Sequence, residues 1–254
     1  MIPHGKCLTP PTWLAGLALA GLSCAGVHAQ TAGEIIAGHV AARGGIDRIR
    51  SVQSLRMQGT ATTGSGASVI VSREIARAGR IRLEFTYQGV TSVYASDGQR
   101  GWRVSPATGS MDPQPMTPEE TQTALEQADL DGPFVNSGTK GLVVEFLGRV
   151  QVSGQDAFKF KVTSRNGAVR HQYLDAASFL LVRTDSTRVV RGHAVDIETT
   201  FADYREAAGL RFPHVIEIAA RGRPTRLRVA LDTVEVNPTI EDARFSVPPM
   251  AAAK

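Results

Sequence analysis

Residues 155–183 read QDAFKFKVTSRNGAVRHQYLDAASFLLVR, and this stretch decides the fold class. Phe158-Lys159-Phe160-Lys161-Val162 alternates apolar and charged side chains, Asn166-Gly167 supplies a turn, and His171 to Leu174 returns. Asp175-Ala176-Ala177-Ser178 then turns the chain into Phe179 to Val182. Successive side chains of a strand point to opposite faces, so a period of two gives each strand one face for water and one for an apolar interior. Asn-Gly between such runs is a strong hairpin signal because both residues tolerate positive φ. The expectation is three short antiparallel strands, with Phe158, Phe160 and Val162 turned inward and Lys159 and Lys161 turned to water.

The same grammar extends in both directions. Toward the N-terminus it predicts strands over Leu55 to Thr63, Ser68 to Ala76, Arg80 to Tyr87, Thr91 to Ser96 and Gly101 to Ser105. In the third of these, Ile81, Leu83, Phe85 and Tyr87 share one side. Toward the C-terminus it predicts strands over Leu142 to Val152, Val195 to Phe201, Val215 to Ala219 and Arg226 to Val236. In the last strand the apolar set changes phase, from Leu227, Val229 and Leu231 to Val234 and Val236, which predicts a bulge near Asp232-Thr233. Two helical stretches precede the strands, Glu34 to Arg43, stopped by Gly44-Gly45, and Ile46 to Val52. Pro113, Pro115 and Pro118 read as a loop, and Thr117 caps a helix from Pro118 to Leu130 whose narrow apolar face includes Leu125 and Leu130. About ten or eleven consecutive antiparallel strands have to curl into a barrel or split into a sandwich. The inserted helix has to cover an apolar face of that sheet.

The first 29 residues read as an export signal rather than as part of the fold. Lys6 supplies a positive start, Trp13 to Leu22 an apolar core, and Val27-His28-Ala29 small residues at the cleavage positions. The expected division is a signal peptide over 1–29, removed on export to the periplasm, and a single domain over 30–254. A lipid anchor at Cys24 is the competing reading, against which Gly21-Leu22-Ser23 lacks a leucine three residues before the cysteine. Both cysteines, Cys7 and Cys24, lie in this segment, so the domain has to hold together without disulfides. The chain carries 28 basic and 24 acidic residues, interspersed along the strands as in Arg80-Ile81-Arg82-Leu83-Glu84. That pattern describes a solvated strand face, and no aromatic and basic motif for nucleic acid accompanies it.

Catalytic constellations do not emerge from the residues. His39, His171, His193 and His214 have no second ligand at metal spacing, no Gly-x-Ser-x-Gly elbow joins a strand to a helix, and Gly64-Ser65-Gly66 leads into a strand. The expectation is a binding protein, not an enzyme, with no metal and no cofactor. What recurs is apolar surface. Phe85, Tyr87, Trp102, Phe146, Phe158, Phe160, Phe179, Phe201 and Phe212 are positioned for the concave side of a curved sheet. Two short helices cannot fill such a face, and the remainder can form a lipid-sized cavity.

Four stretches carry a resemblance. Ala42-Arg43-Gly44-Gly45-Ile46-Asp47 leading to Leu55, Ser96-Asp97-Gly98 followed by Gly101-Trp102, Asp129-Leu130-Asp131-Gly132-Pro133, and Phe201-Ala202-Asp203-Tyr204 with Gly209-Leu210-Arg211-Phe212-Pro213 resemble the bacterial outer-membrane lipoprotein-sorting proteins. These belong to the superfamily of the Lol periplasmic carrier and its outer-membrane receptor (LolA/LolB-like). The resemblance implies a mainly β fold, an unclosed antiparallel β-barrel with a few helices as a lid over an apolar cavity that accepts acyl chains of a lipid or lipoprotein. Its cavity lining would fall on Leu83, Phe85, Tyr87, Trp102, Phe146, Phe158, Phe160 and Phe201, and its lid on Leu125 and Leu130. An inner- or outer-membrane protein would be the partner. A sensor or interaction module on the same fold, regulating a membrane partner, is the alternative function. The Pro-rich insertion before the middle helix sets this chain apart from the well-studied carriers.

Overall fold

The computed structural model describes residues 30–248 apart from 107–108, 191 and 224–225. The expected signal peptide, with Cys24, lies outside the described residues. Two meanders make one sheet. The first consists of β1 (Ser54–Thr62), β2 (Ser68–Ala76), β3 (Arg80–Tyr87), β4 (Val90–Asp97), β5 (Gly101–Ser105) and β6 (Ser110–Pro115). The second consists of β7 (Val143–Val152), β8 (Gln155–Thr163), β9 (Val169–Asp175), β10 (Leu181–Val190), β11 (His193–Ala207), β12 (Leu210–Ala220) and β13 (Arg226–Val236). The strand order is β6-β5-β4-β3-β2-β1-β13-β12-β11-β10-β9-β8-β7. The first and last strands therefore pair at the centre, and β6 and β7 are the unjoined edges of an unclosed antiparallel sheet.

Thirteen described strands replace the ten or eleven expected, and β6 is the one that the prolines concealed. Pro113 and Pro115 lack N–H donors, which an edge strand tolerates because one side of it has no neighbour. The third strand of the 155–183 stretch also differs. Phe179 is not its first residue but a turn residue with φ of 58°, and pairing starts at Leu181. Asp175 drives that turn: its Oδ1 accepts from the N–H groups of Ala177 and Ser178, at 3.2 and 2.7 Å. In the preceding turn, Gly167 alone takes positive φ, at 82°.

The bulge in β13 falls where the sequence placed it. Gln58 pairs with Thr233 and Gly59 with Leu231, so Asp232 is the extra residue. The bulge brings the β13 backbone onto β1. A Cβ at Gly59 would lie 2.0 Å from the Ala230 carbonyl oxygen, and only glycine fits there.

Three of the described helices pack on one face of the sheet, which we call the inner face. α1 (Ala32–Ala42) and α3 (Pro118–Gln127) begin with capping boxes from Thr31 and Thr117 to Glu34 and Glu120, and α2 (Ile46–Ser51) follows α1 directly. α3 stops at Gln127, short of the expected Leu130. On the first meander and the start of β12, Ile49, Val52, Leu55, Ile75, Ile81, Ala124, Ala128, Leu130, Leu210 and Phe212 form one buried cluster. On the second, Ile35 of α1 and Phe134 pack against Phe158, Phe160 and Leu174. The outer face has a smaller cover of its own. Phe245, after the short turn Asp242–Arg244, is fully buried, and its carbonyl accepts from Trp102 Nε1 at 2.8 Å.

Candidate functional site

Directly opposed residues of neighbouring antiparallel strands share a face, so the register maps the inner wall. From β2 to β11 one row reads Val69, Ala61, Val229, Ile216, Phe201. The next row, from β13 to β7, reads Leu227, Ile218, Thr199, Thr184, Gln172, Phe160, Phe146. Phe85 lies opposite Val71 on the same wall. Part of this wall lies under the helices. Val69, Phe85, Phe201, Ile216, Ile218, Leu227 and Val229 do not, and they remain half-buried outside the packed clusters. The inner face thus has a covered end and an open apolar end.

The expected lining residues divide between these environments. Phe85 and Phe201 stand at the open end, and Tyr87, at the end of β3, is 46% exposed. Leu83 packs beside the cluster beneath α2 and α3. Phe158 and Phe160 are 2% and 0% exposed, and protein fills the space before them. Phe160 meets Phe134 edge-on at 5.2 Å and Phe146 at 5.1 Å, while Phe158 stacks on Phe179 at 5.8 Å. Trp102 stands on the other side of the sheet. It opposes Ala95, which opposes Arg82, and Arg82 alternates with Ile81 and Leu83, so Trp102 faces outward under Phe245. Of the expected lid residues, Leu130 is buried in the core just after α3, and Leu125 is half-buried on the helix.

No family model and no curated protein sequence matches the chain. Solved structures do. An outer membrane lipoprotein-sorting protein domain from Vibrio parahaemolyticus is similar with a TM-score of 0.56 and 12% identity, over 84% of this chain and 94% of that one. A LolA superfamily protein from Nitrosomonas europaea matches with a TM-score of 0.56 and 12% identity, over 86% and 98%. This chain has a LolA-like fold. A DUF1329 family protein from Desulfovibrio piger shares the LolA-like architecture with a TM-score of 0.57 and 12% identity, over 84% and 95%.

Within this LolA-like sheet the helix α3 is tied to both meanders by cations that periodicity did not reveal. Arg73 of β2, on the inner wall beside Leu83 and Met57, donates to the Gln127 carbonyl at the negative end of α3. Its Nε is enclosed without a hydrogen-bond partner, and burial holds its pKa down to about 10. Arg103 pairs with Glu120, and Arg170 of β9 pairs with Glu126 at 3.1 Å.

The segment after α3 is clamped more firmly. Arg77 donates to Asp131 Oδ1 at 2.7 Å while bonding the Ile49 and Val52 carbonyls, and Lys140 bridges Asp129 at 2.6 Å and the Gly132 carbonyl at 2.8 Å. Arg43 donates to the Asp131 and Leu130 carbonyls at 2.6 and 3.2 Å. Burial pushes its pKa down, against the pull of Tyr204, Asp129 and Asp131. The Arg43 carbonyl accepts from Arg211 N–H at 3.0 Å, and a Cβ at Gly44 would meet the Gly209 oxygen at 2.3 Å. Three of the four motifs that carry the resemblance meet at this corner. Their residue types follow from it: a desolvated guanidinium needs the bare carbonyls of a turn, and the close backbone approach needs glycine.

Polar groups also gather on the outer face of β8 to β11. A depression of about 400 Å³ includes Lys159, His171, Tyr173, Arg183 and Asp185. Three of them satisfy one another: Tyr173 donates to Asp185 at 2.9 Å, and Arg183 bonds the same carboxylate at 2.7 Å and Glu198 at 2.9 Å. Burial and the bond to Asp185 push the Tyr173 pKa up to about 12. Arg183 and Tyr173 lower the Asp185 pKa against the opposing effect of burial, so the cluster is an ion-pair network with its protons already placed. Among the described residues no group of three His, Cys, Asp or Glu side chains is arranged to hold a metal.

Proposed function

We propose that this chain is an exported, periplasmic binding or carrier protein that holds acyl chains of a lipid or lipoprotein against the open end of its inner face. The supporting observation is the cross-strand row Val69, Ala61, Val229, Ile216, Phe201, which continues the core beyond its helical cover and leaves four of its five side chains half-buried. The protein works by burial and makes no bonds. Each methylene taken from water contributes about 0.8 kcal/mol, so a tail burying about eight gains about 6 kcal/mol before the cost of ordering it. Phe85 and Phe201 line the site, Tyr87 stands at its margin, and α3 with Leu125 acts as the lid. Phe146, Phe158 and Phe160 form the floor against which the covered end packs.

Mass spectrometry of organic extracts from protein purified from the periplasm is expected to show bound lipid. The purified protein is expected to take up a fluorescent fatty acid, with weaker uptake in Phe201→Ala and Phe85→Ala. Absence of bound lipid together with absence of uptake would overturn the reading. A stable membrane-protein partner in pull-downs, without lipid, would favour a sensor on the same fold.

A further inference from the structure

The open end of the inner face has a charged margin. Arg170 and Arg188 both belong to the inner wall. Arg170 opposes Val162 and Ser186, Ser186 opposes Ile197, and Arg188, one step further along β10, opposes Val195. One carboxylate, Glu126 of α3, serves both cations. It pairs with Arg170 at 3.1 Å, and its charge acts on Arg188 without a direct ion pair. Among the described residues Arg188 has no ion-pair partner, and its side chain is exposed beside the half-buried Ile197. Two positive charges face one negative charge here, where the adjoining wall of Ile197, Ile218 and Leu227 is apolar.

We propose that the inner face selects an amphiphile with a single anionic head, a phosphate or a carboxylate, which Arg188 binds together with Arg170 while the tail lies along Ile197, Ile218 and Leu227. The proposal rests on the reading of this face as an acyl surface and adds the head group to it. Guanidinium donates paired N–H groups in the geometry that both anions accept, and such charge-assisted bonds are stronger than those between neutral groups. A neutral head would leave the excess positive charge unmatched.

Isothermal titration of the mature protein below the micelle threshold separates the sources of affinity. The probes are dodecyl phosphate, dodecanoate, the neutral monododecanoylglycerol and inorganic phosphate. The anionic amphiphiles are expected to bind about tenfold more tightly than the neutral one, the equivalent of one charge-assisted hydrogen bond, and inorganic phosphate without a tail is expected to bind weakly. Arg188→Gln should remove most of that preference and leave the neutral probe unchanged. Glu126→Gln should raise the affinity for the anionic probes, because it removes the competing carboxylate. Equal binding of neutral and anionic amphiphiles, or an anionic preference that Arg188→Gln leaves intact, would overturn the proposal while the acyl-binding reading stood. Binding of none of the amphiphiles would overturn both. Tight binding of inorganic phosphate alone would replace the lipid by a free anion.

Discussion

At the scale of single residues, alternation told which side chains share a face but not what stands in front of them. Phe160 and Phe201 illustrate the difference. Both are apolar strand residues on the inner wall, yet Phe160 is enclosed by Phe134 and Phe146 and Phe201 is half-open. Phe160→Ala is therefore expected to cost about 3–5 kcal/mol in urea unfolding, while Phe201→Ala costs about 1 kcal/mol and shows mainly in acyl uptake. His39 falls within the expected helix Glu34 to Arg43, and its partner was not legible. Its Nδ1 lies 2.8 Å from the Phe179 carbonyl, a residue 140 positions away, and burial holds its pKa down to about 4. The unfolded chain takes up a proton near pH 6.5 and the folded chain only near 4. The stability present above pH 6.5 should then fall as pH drops through that window, by about 3 kcal/mol in total. Chemical denaturation between pH 7 and 4 checks this, and His39→Gln should flatten the profile.

At the scale of elements, most strands, the Thr117 cap and the β13 bulge could be placed from local pattern because each rests on neighbours within a few residues. β6 could not, since proline reads as loop until the sheet shows that the strand is an edge. Nor could the seam between β1 and β13, which joins residues far apart in the chain, as with Leu55 and Val236. That seam makes Gly59 a sharp test. Gly59→Ala drives a Cβ into the Ala230 carbonyl and is expected to destabilise by about 1–3 kcal/mol or more, whereas Gly33→Ala, in α1 with open space before it, should stabilise by up to about 1 kcal/mol. Thermal melts of the two variants, shifting in opposite directions, would show it. The corner behind α3 is the other element-level device. Asp131→Asn removes the charge from the Arg77 pair and is expected to cost about 1–3 kcal/mol in urea unfolding.

At the scale of the whole molecule, a chain segment after the last strand returns across the outer face of the first meander. Arg244 of this segment pairs with Glu74 at 2.9 Å and Glu84 at 3.2 Å, and Arg82 donates to the Arg244 carbonyl at 3.1 Å. Residues 30–254 contain one tryptophan, Trp102, and it reports directly on this strap. Phe245→Ala is expected to red-shift Trp102 fluorescence in the native protein and to lower stability by about 3–5 kcal/mol; an unshifted spectrum would show that the strap does not cover it. The sequence by itself determined that the chain is mainly β, where its turns fall, and which side chains stand together on a strand, because those properties depend on backbone sterics and on a period of two over short distances. The tertiary structure alone decided which face is inner, which part of that face the helices fill, and which arginines turn toward it. Those are properties of contacts between residues far apart in the chain, and the same alternating pattern is compatible with either face being covered.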